Sequence, residues 1–189
     1  MSLGLLCLLV VAAGCDGPPV EPPPSGRAPA ASPGKSRQAT IDRTVAIYSA
    51  VIRRLVTKDH TFGRAKSPFN HVYVVNGAVE KAGHVTKEGE PGTPFSREVR
   101  DGIRAALDLL PLDFVPDRDS VLLGKYGAGG VMNQGVVISL GPIPPGGSKV
   151  EVENNLWCGS TCGQWLTYVL EWQDGTWRVT GTEGPYAIS

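Results

Sequence analysis

The chain has 189 residues, of which 41% are hydrophobic and 19% are charged, and this length suits one globular domain with a short additional segment. Its 18 Lys and Arg residues balance 18 Asp and Glu residues, so the formal net charge is zero. This balance argues against a nucleic-acid-binding protein, which needs excess positive charge to neutralise phosphates, and against a polybasic membrane-binding patch.

The N-terminus has the features of an export signal. Residues 3–13 are uncharged and mostly apolar, and this run is too short to cross a bilayer, for which about 20 residues are needed. A short apolar run followed by small residues is typical of a secretory signal peptide. The small residues here are Ala12-Ala13-Gly14-Cys15, which resemble the lipobox of bacterial lipoproteins.

That resemblance implies the first part of the domain organisation. The signal peptide, residues 1–14, would be removed, and a diacylglycerol would be attached to the sulfur of Cys15 as a thioether. The protein would then be held by its lipid anchor on the outer face of the cell membrane. Residues 16–38 contain seven of the 16 prolines and one large aliphatic residue, Val20. They cannot bury an apolar face, so residues 15–38 are predicted to be a lipidated cysteine with a disordered linker.

The cysteines support an oxidising compartment. In a lipoprotein of this kind, Cys7 would leave with the signal and the lipid would occupy Cys15, so Cys158 and Cys162 would remain as a pair in W-C-G-S-T-C-G. A disulfide between Cys158 and Cys162 is the favoured interpretation. A copper or zinc site and a redox-active dithiol are the alternatives, although no histidine shows ligand spacing and the redox C-x-x-C spacing is missing. We therefore expect no metal and no cofactor.

Two helices are predicted in residues 39–189, which we expect to form a single globular domain. Apolar residues repeat with helical spacing over residues 40–57, namely at Ile41, Val45, Tyr48, Ile52 and Leu55. Four basic residues lie off that face: Arg43, Arg53, Arg54 and Lys58. A solvated helix surface is the favoured interpretation of this cluster, and a docking patch for an anionic lipid or polymer is the alternative. Ser96 is a suitable N-cap for a second helix that ends near Leu110, before Pro111.

The remaining pattern predicts strands. Residues 69–79 indicate a strand with a turn at Asn76-Gly77, and shorter strands are predicted at 120–123, 131–140 and 149–153. Residues 165–172 and 176–181 predict a hairpin around Asp174-Gly175, and residues 186–188 a last strand. The fold class is thus α+β, with two helices packed on a curved antiparallel sheet. The D-G-x-W-R-V hairpin is similar to the ending of domains in the cone-shaped, nuclear-transport-factor-2-like superfamily, which implies a fold and no activity.

Catalytic residues are not evident. Residues 124–130 are rich in glycine but lack the spacing of a phosphate-binding loop. His60, beside Asp59, is the best candidate for proton transfer, with a surface or capping histidine as the favoured alternative; His71 and His84 show no motif. We expect a non-catalytic, lipid-anchored module that binds an unidentified small molecule or envelope component in an apolar pocket. The alternative is a secreted hydrolase or cell-wall enzyme, for which histidines would cluster with a carboxylate in one cleft.

Overall fold

Helix α1, Pro33–Thr57, is the first element that the structure, a computed structural model, describes. The described residues are 33–62, 68–86, 89–108 and 111–189. The predicted signal peptide, the lipidation site Cys15 and most of the predicted linker lie outside them. Residues 33–38 are helical, so the predicted linker is too long at its C-terminal end. A proline at the first helical position is favourable, and this allows α1 to begin at Pro33.

The predicted apolar face of α1 is confirmed. Tyr48, Ile52 and Leu55 are buried, and Ile41 and Val45 pack against the same core. The Tyr48 hydroxyl donates a hydrogen bond to the carbonyl of Gly141 at 2.9 Å, and burial raises the pKa of this phenol. The middle of α1 is therefore fixed to the sheet both by apolar packing and by a buried hydrogen bond.

A second helix and a six-stranded sheet complete the regular structure in the described ranges. The second helix, α2, spans Arg97–Ala106, and the Ser96 hydroxyl accepts a hydrogen bond from the Val99 amide, which confirms the predicted N-cap. The strands are β1 (Val72–Ala78), β2 (Leu112–Val115), β3 (Val136–Leu140), β4 (Lys149–Gly159), β5 (Cys162–Gln173) and β6 (Thr176–Ile188). Their order across the sheet is β2-β1-β3-β4-β5-β6.

The sheet is mixed, so the prediction of an antiparallel sheet is wrong in part. Strand β1 pairs in parallel with β2 and with β3, whereas β3, β4, β5 and β6 form an antiparallel series. Strands β1 and β2 can pair in parallel because the segment that contains α2 carries the chain from the end of β1 back to the level of its start, where β2 begins. The α+β class, with two helices and one sheet in the described chain, is confirmed.

Several predicted boundaries differ from the structure. Asn76-Gly77 lies inside β1, where the pairing with β3 is irregular, and does not form the predicted turn. The predicted strand at 120–123 is replaced by a short 3₁₀ helix, Asp119–Val121. The strand predicted at 131–140 begins at Val136, after another 3₁₀ turn at Met132–Gln134, and α2 ends at Ala106. β4 is longer than predicted, because its polar residues still pair with β5.

The two faces of the sheet are covered by different parts of the chain. Helices α1 and α2 cover the face that carries the larger apolar cluster, whose sheet residues include Val74, Ile138, Leu156 and Leu170. On the opposite face, Val75 and Val137 pack with loop residues in a smaller cluster. The helices thus share one face, and the loops between strands cover part of the other.

The predicted hairpin between β5 and β6 is confirmed. Asp174 and Gly175 have φ values of 50° and 77°, the left-handed backbone that a two-residue hairpin turn requires. Trp172 and Trp177 lie directly opposite each other in the strand pairing. The turn therefore brings two tryptophans together beside the end of the sheet.

Substitution of Gly77 tests the irregular backbone inside β1. Its φ is +149°, and an added Cβ would lie 2.8 Å from the carbonyl oxygen of Gly92. We expect Gly77→Ala to lower the free energy of unfolding by about 1 to 3 kcal/mol, as measured by urea denaturation. Gly181→Ala is the control, because a Cβ there meets no atom within 4 Å. Equal stability of the two variants would contradict this description of β1.

Candidate functional site: a groove along α1

A groove runs along α1 on the side that faces the β5–β6 turn. Its volume is about 860 Å³. The α1 residues that line it have the spacing of one helical face, and they are Ala39, Asp42, Arg43, Ala46, Ser49, Ala50 and Arg53. The opposite wall consists of Gly147, Ser148, Trp172, Gly175, Thr176 and Trp177. We call this cavity the α1 groove.

The lining of the α1 groove is mainly apolar. Ala39, Ala46 and Ala50 carry only methyl groups, which leave space between the helix and the hairpin. The rings of Trp172 and Trp177 meet edge to face, with their centroids 5.8 Å apart. Trp177 is 9% exposed and Trp172 is 50% exposed, so Trp177 belongs to the core whereas Trp172 presents much of its ring to solvent.

Arg43 joins the two walls of the groove. Its guanidinium lies 5.4 Å from the centroid of the Trp177 ring, a cation–π distance. The same group donates hydrogen bonds to the carbonyls of Pro144 and Gly146 in the loop between β3 and β4. The width of the groove near Trp177 is therefore set by contacts within the protein.

Ser49 supplies a polar atom inside this apolar surface. The residue is 6% exposed, and its hydroxyl makes no hydrogen bond to any residue that the structure describes. A serine within a helix can donate to the carbonyl four residues earlier, but this one does not. A buried hydroxyl without a partner costs free energy, so this position is less stable than one with an apolar side chain of the same size.

Asp59 links the end of α1 to β5. Its Oδ2 atom lies 2.6 Å from Nε of Arg54 and accepts a hydrogen bond from the Tyr168 hydroxyl at 2.8 Å. The hydrogen bond to Asp59 raises the pKa of Arg54. Burial, followed by the Asp59 carboxylate, raises the pKa of the Tyr168 phenol. The Asp59 carboxylate therefore has a structural role, because it binds both Arg54 and Tyr168.

His60 is buried, although a surface or capping position was favoured. It is 5% exposed, its ring lies edge-on to Phe69, and its Nδ1 accepts a hydrogen bond from the Phe62 amide at 3.3 Å. Its Nε2 has no partner within the described ranges. No contact joins it to the carboxylate of Asp59, so the geometry lacks the His–Asp pair that proton transfer would need.

The other two histidines lie at separate places. His71 Nε2 is 3.0 Å from Asp113 Oδ2, and its ring stacks on Tyr73, which belongs to the smaller apolar cluster. His84 Nε2 is 3.7 Å from a carboxylate oxygen of Glu153. No histidine lines the α1 groove. Within the described residues, no group of three or more His, Cys, Asp and Glu side chains could hold a metal ion.

Cys158 and Cys162 lie at disulfide distance, with their Cα atoms 5.2 Å apart. They flank the turn that joins β4 to β5, and the Thr61 hydroxyl lies 3.4 Å from the Cys162 sulfur. Trp172 is at the other end of β5, which corresponds to about 30 Å along the strand. The cysteine pair is therefore remote from the α1 groove.

The α1 groove is not predicted from the sequence. Two features could have indicated it. The alanines at positions 39, 46 and 50 recur on one helical face away from the apolar stripe, and two tryptophans flank the turn at Asp174-Gly175. Each feature is common in protein sequences and predicts no cavity by itself. Only the fold shows that the alanines of α1 and the tryptophans of the hairpin face each other.

No protein-family model, no curated protein and no solved structure matches the chain. Among the helices that the structure describes, none is both long enough and apolar enough to span a membrane.

Replacement of Tyr168 tests the structural role of Asp59. Tyr168→Phe leaves the carboxylate without one hydrogen bond, and we expect a loss of about 1 to 3 kcal/mol in the free energy of unfolding, measured by denaturant titration. Tyr186→Phe is the matched control, since its hydroxyl makes only a 3.5 Å contact with Gln164 at an exposed position. If both variants were equally stable, the proposed link between α1 and β5 would be wrong.

Proposed function

We propose that this protein is a lipid-anchored, extracytoplasmic binding module that holds an elongated, mainly apolar ligand in the α1 groove without catalysing a reaction. The observation that carries this proposal is the groove itself, with its alanine and tryptophan lining. Its volume of about 860 Å³ lies in the range of small-molecule sites.

The dimensions of the groove favour a long ligand. The α1 residues that line it extend from Ala39 to Arg53, which corresponds to about 20 Å along the helix axis. An apolar chain of that length would remain in contact with the three alanines and the exposed face of Trp172.

The lipid anchor is proposed from the sequence alone. The lipobox Ala12-Ala13-Gly14-Cys15 and the proline-rich residues that follow support it, because an anchor and a spacer are what a domain held at a membrane surface needs. The anchor would place the α1 groove on the outer face of the cell membrane, close to lipids and other envelope components.

The cone-shaped arrangement of the nuclear-transport-factor-2-like superfamily is also a proposal. Two features support it: the helices share one face of the sheet, and the chain ends in a long antiparallel hairpin of β5 and β6. In a cone of that kind, a ligand would be held between helix and sheet, which is where the α1 groove lies.

A secreted hydrolase is the second candidate, and the pairing of His71 with Asp113 favours it. A histidine oriented by a carboxylate is a common general base. However, the Asp113 side chain is 60% exposed, and neither residue lines the α1 groove. We therefore favour the binding module.

Trp172 provides a direct test of ligand binding. We expect the full chain to bind the neutral apolar fluorophore N-phenyl-1-naphthylamine, and Trp172→Ala to weaken this binding at least about 5-fold, because the largest exposed apolar surface in the groove is lost. Fluorescence titration gives the affinity.

Tyr126→Ala is the control for that titration, since Tyr126 is the most exposed aromatic residue of the described chain and lies outside the α1 groove. It should bind the fluorophore with unchanged affinity. The groove would not be the binding site if Trp172→Ala and Tyr126→Ala behaved alike.

The anchor has an independent test in a bacterium that lipidates its exported proteins. We expect the chain to incorporate radiolabelled palmitate and to fractionate with membranes, and Cys15→Ala to lose both properties because the acceptor sulfur is absent. Cys7→Ala should keep the label, since Cys7 lies within the signal peptide. Label retained by Cys15→Ala would exclude Cys15 as the lipidation site.

A further inference from the structure

A second cavity lies beside the α1 groove, toward the C-terminal end of α1. This cavity has a volume of about 400 Å³. It is lined by Ala50, Arg53, Arg54 and Thr57 of α1, by Lys58 directly after the helix, and by Trp177, Arg178 and Val179 of β6. Ala50, Arg53 and Trp177 line both cavities. The two cavities are therefore adjacent along one side of α1, and we call them together the channel.

The second cavity is positively charged, and we call it the cationic end. Arg53 and Arg54 of α1 and Lys58 directly after it contribute three cations, and no acidic residue is part of the lining. The Arg53 guanidinium also donates a hydrogen bond to the carbonyl of Ala106. Asp59 lies nearby, but its carboxylate already binds Arg54 and the Tyr168 hydroxyl. Glu171 lies opposite Arg178 in the pairing of β5 with β6. The positive charge of Arg53 and Lys58 is thus not balanced by an acidic side chain in the cavity.

The rest of the channel has a less charged lining than the cationic end. Toward Ala39, its surface consists mainly of alanine methyl groups and tryptophan rings, with Asp42 and Arg43 as its charged residues. The Arg43 guanidinium is already bound by the carbonyls of Pro144 and Gly146. The channel therefore changes from apolar to cationic along one helix. A ligand that matches both parts has an apolar chain and a negatively charged head group.

We propose that the channel binds a single anionic amphiphile, with its hydrocarbon chain on the alanine and tryptophan surface and a phosphate head group at the cationic end. This inference rests on the proposed binding function and specifies its ligand class. Arginine guanidinium groups and a lysine ammonium are well suited to phosphate oxygens, since their N–H groups donate charge-assisted hydrogen bonds. Each methylene buried on the apolar surface strengthens binding further.

The experiment compares two probes that share one hydrocarbon chain. Isothermal titration calorimetry of the full chain is performed with dodecyl phosphate and with the neutral dodecyl maltoside, each below its critical micelle concentration. We expect dodecyl phosphate to bind about 10-fold more tightly, because only its head group pairs with the cations. Inorganic phosphate alone should bind much more weakly than dodecyl phosphate, because it lacks the hydrocarbon chain.

Charge reversal within the channel provides the matched comparison. Lys58→Glu should weaken the binding of dodecyl phosphate about 5-fold or more and leave dodecyl maltoside unchanged. Lys125→Glu makes the same change of charge on an exposed residue outside both cavities and should have no effect. Thermal unfolding of both variants verifies that each is folded.

Three results would overturn the inference, and they differ in whether the proposed binding function is also excluded. Equal affinity for the two dodecyl probes would exclude a phosphate site but keep the apolar groove. Failure to bind both dodecyl probes and the neutral fluorophore would exclude the binding function as well. Binding to phosphatidylglycerol vesicles without binding to monomeric dodecyl phosphate would indicate contact with a bilayer surface, and the single-amphiphile channel would then be wrong.

Discussion

Helix α1 carries two different stripes along its length, and the groove depends on the contrast between them. The apolar stripe, which includes Tyr48, Ile52 and Leu55, is buried on the sheet and fixes the rotation of the helix about its axis. The neighbouring stripe of Ala39, Ala46 and Ala50 is thereby turned toward the β5–β6 hairpin. Because methyl groups are too small to reach the hairpin, the space between the two elements stays open.

Polar contacts at three points along α1 hold that arrangement. Near its start, Arg43 binds the carbonyls of the β3–β4 loop and stacks over Trp177. In its middle, Tyr48 donates a hydrogen bond to Gly141. Beyond its end, Asp59 joins Arg54 to Tyr168. These contacts keep the helix at a distance from the hairpin, and the groove lies in the space between them.

The sequence predicts elements whose signal is local. The helical spacing from Ile41 to Leu55, the cap at Ser96 and the turn at Asp174-Gly175 each depend on residues close together in the chain, and the structure confirms all three. Strand β2 was not predicted, because four residues show too little periodicity. The turn expected at Asn76-Gly77 is wrong because long-range pairing keeps those residues within β1.

The candidate site was predicted only in its general character. The sequence predicts an apolar pocket, but its position requires α1 to lie beside Trp172, and no local pattern encodes that contact. For the basic residues in and after α1, the sequence favours a solvated face over an anionic docking patch. Their position at one end of an apolar channel, between α1 and β6, is what favours the second interpretation.

The most direct measurement is a nuclear magnetic resonance titration of the isotope-labelled chain with dodecyl phosphate. If the channel is the binding site, the amide signals that shift belong to the α1 stripe from Ala39 to Lys58 and to the Trp172–Trp177 turn, while those around His71 and Asp113 stay unchanged. Shifts centred on His71, or spread evenly over the surface, would contradict the account.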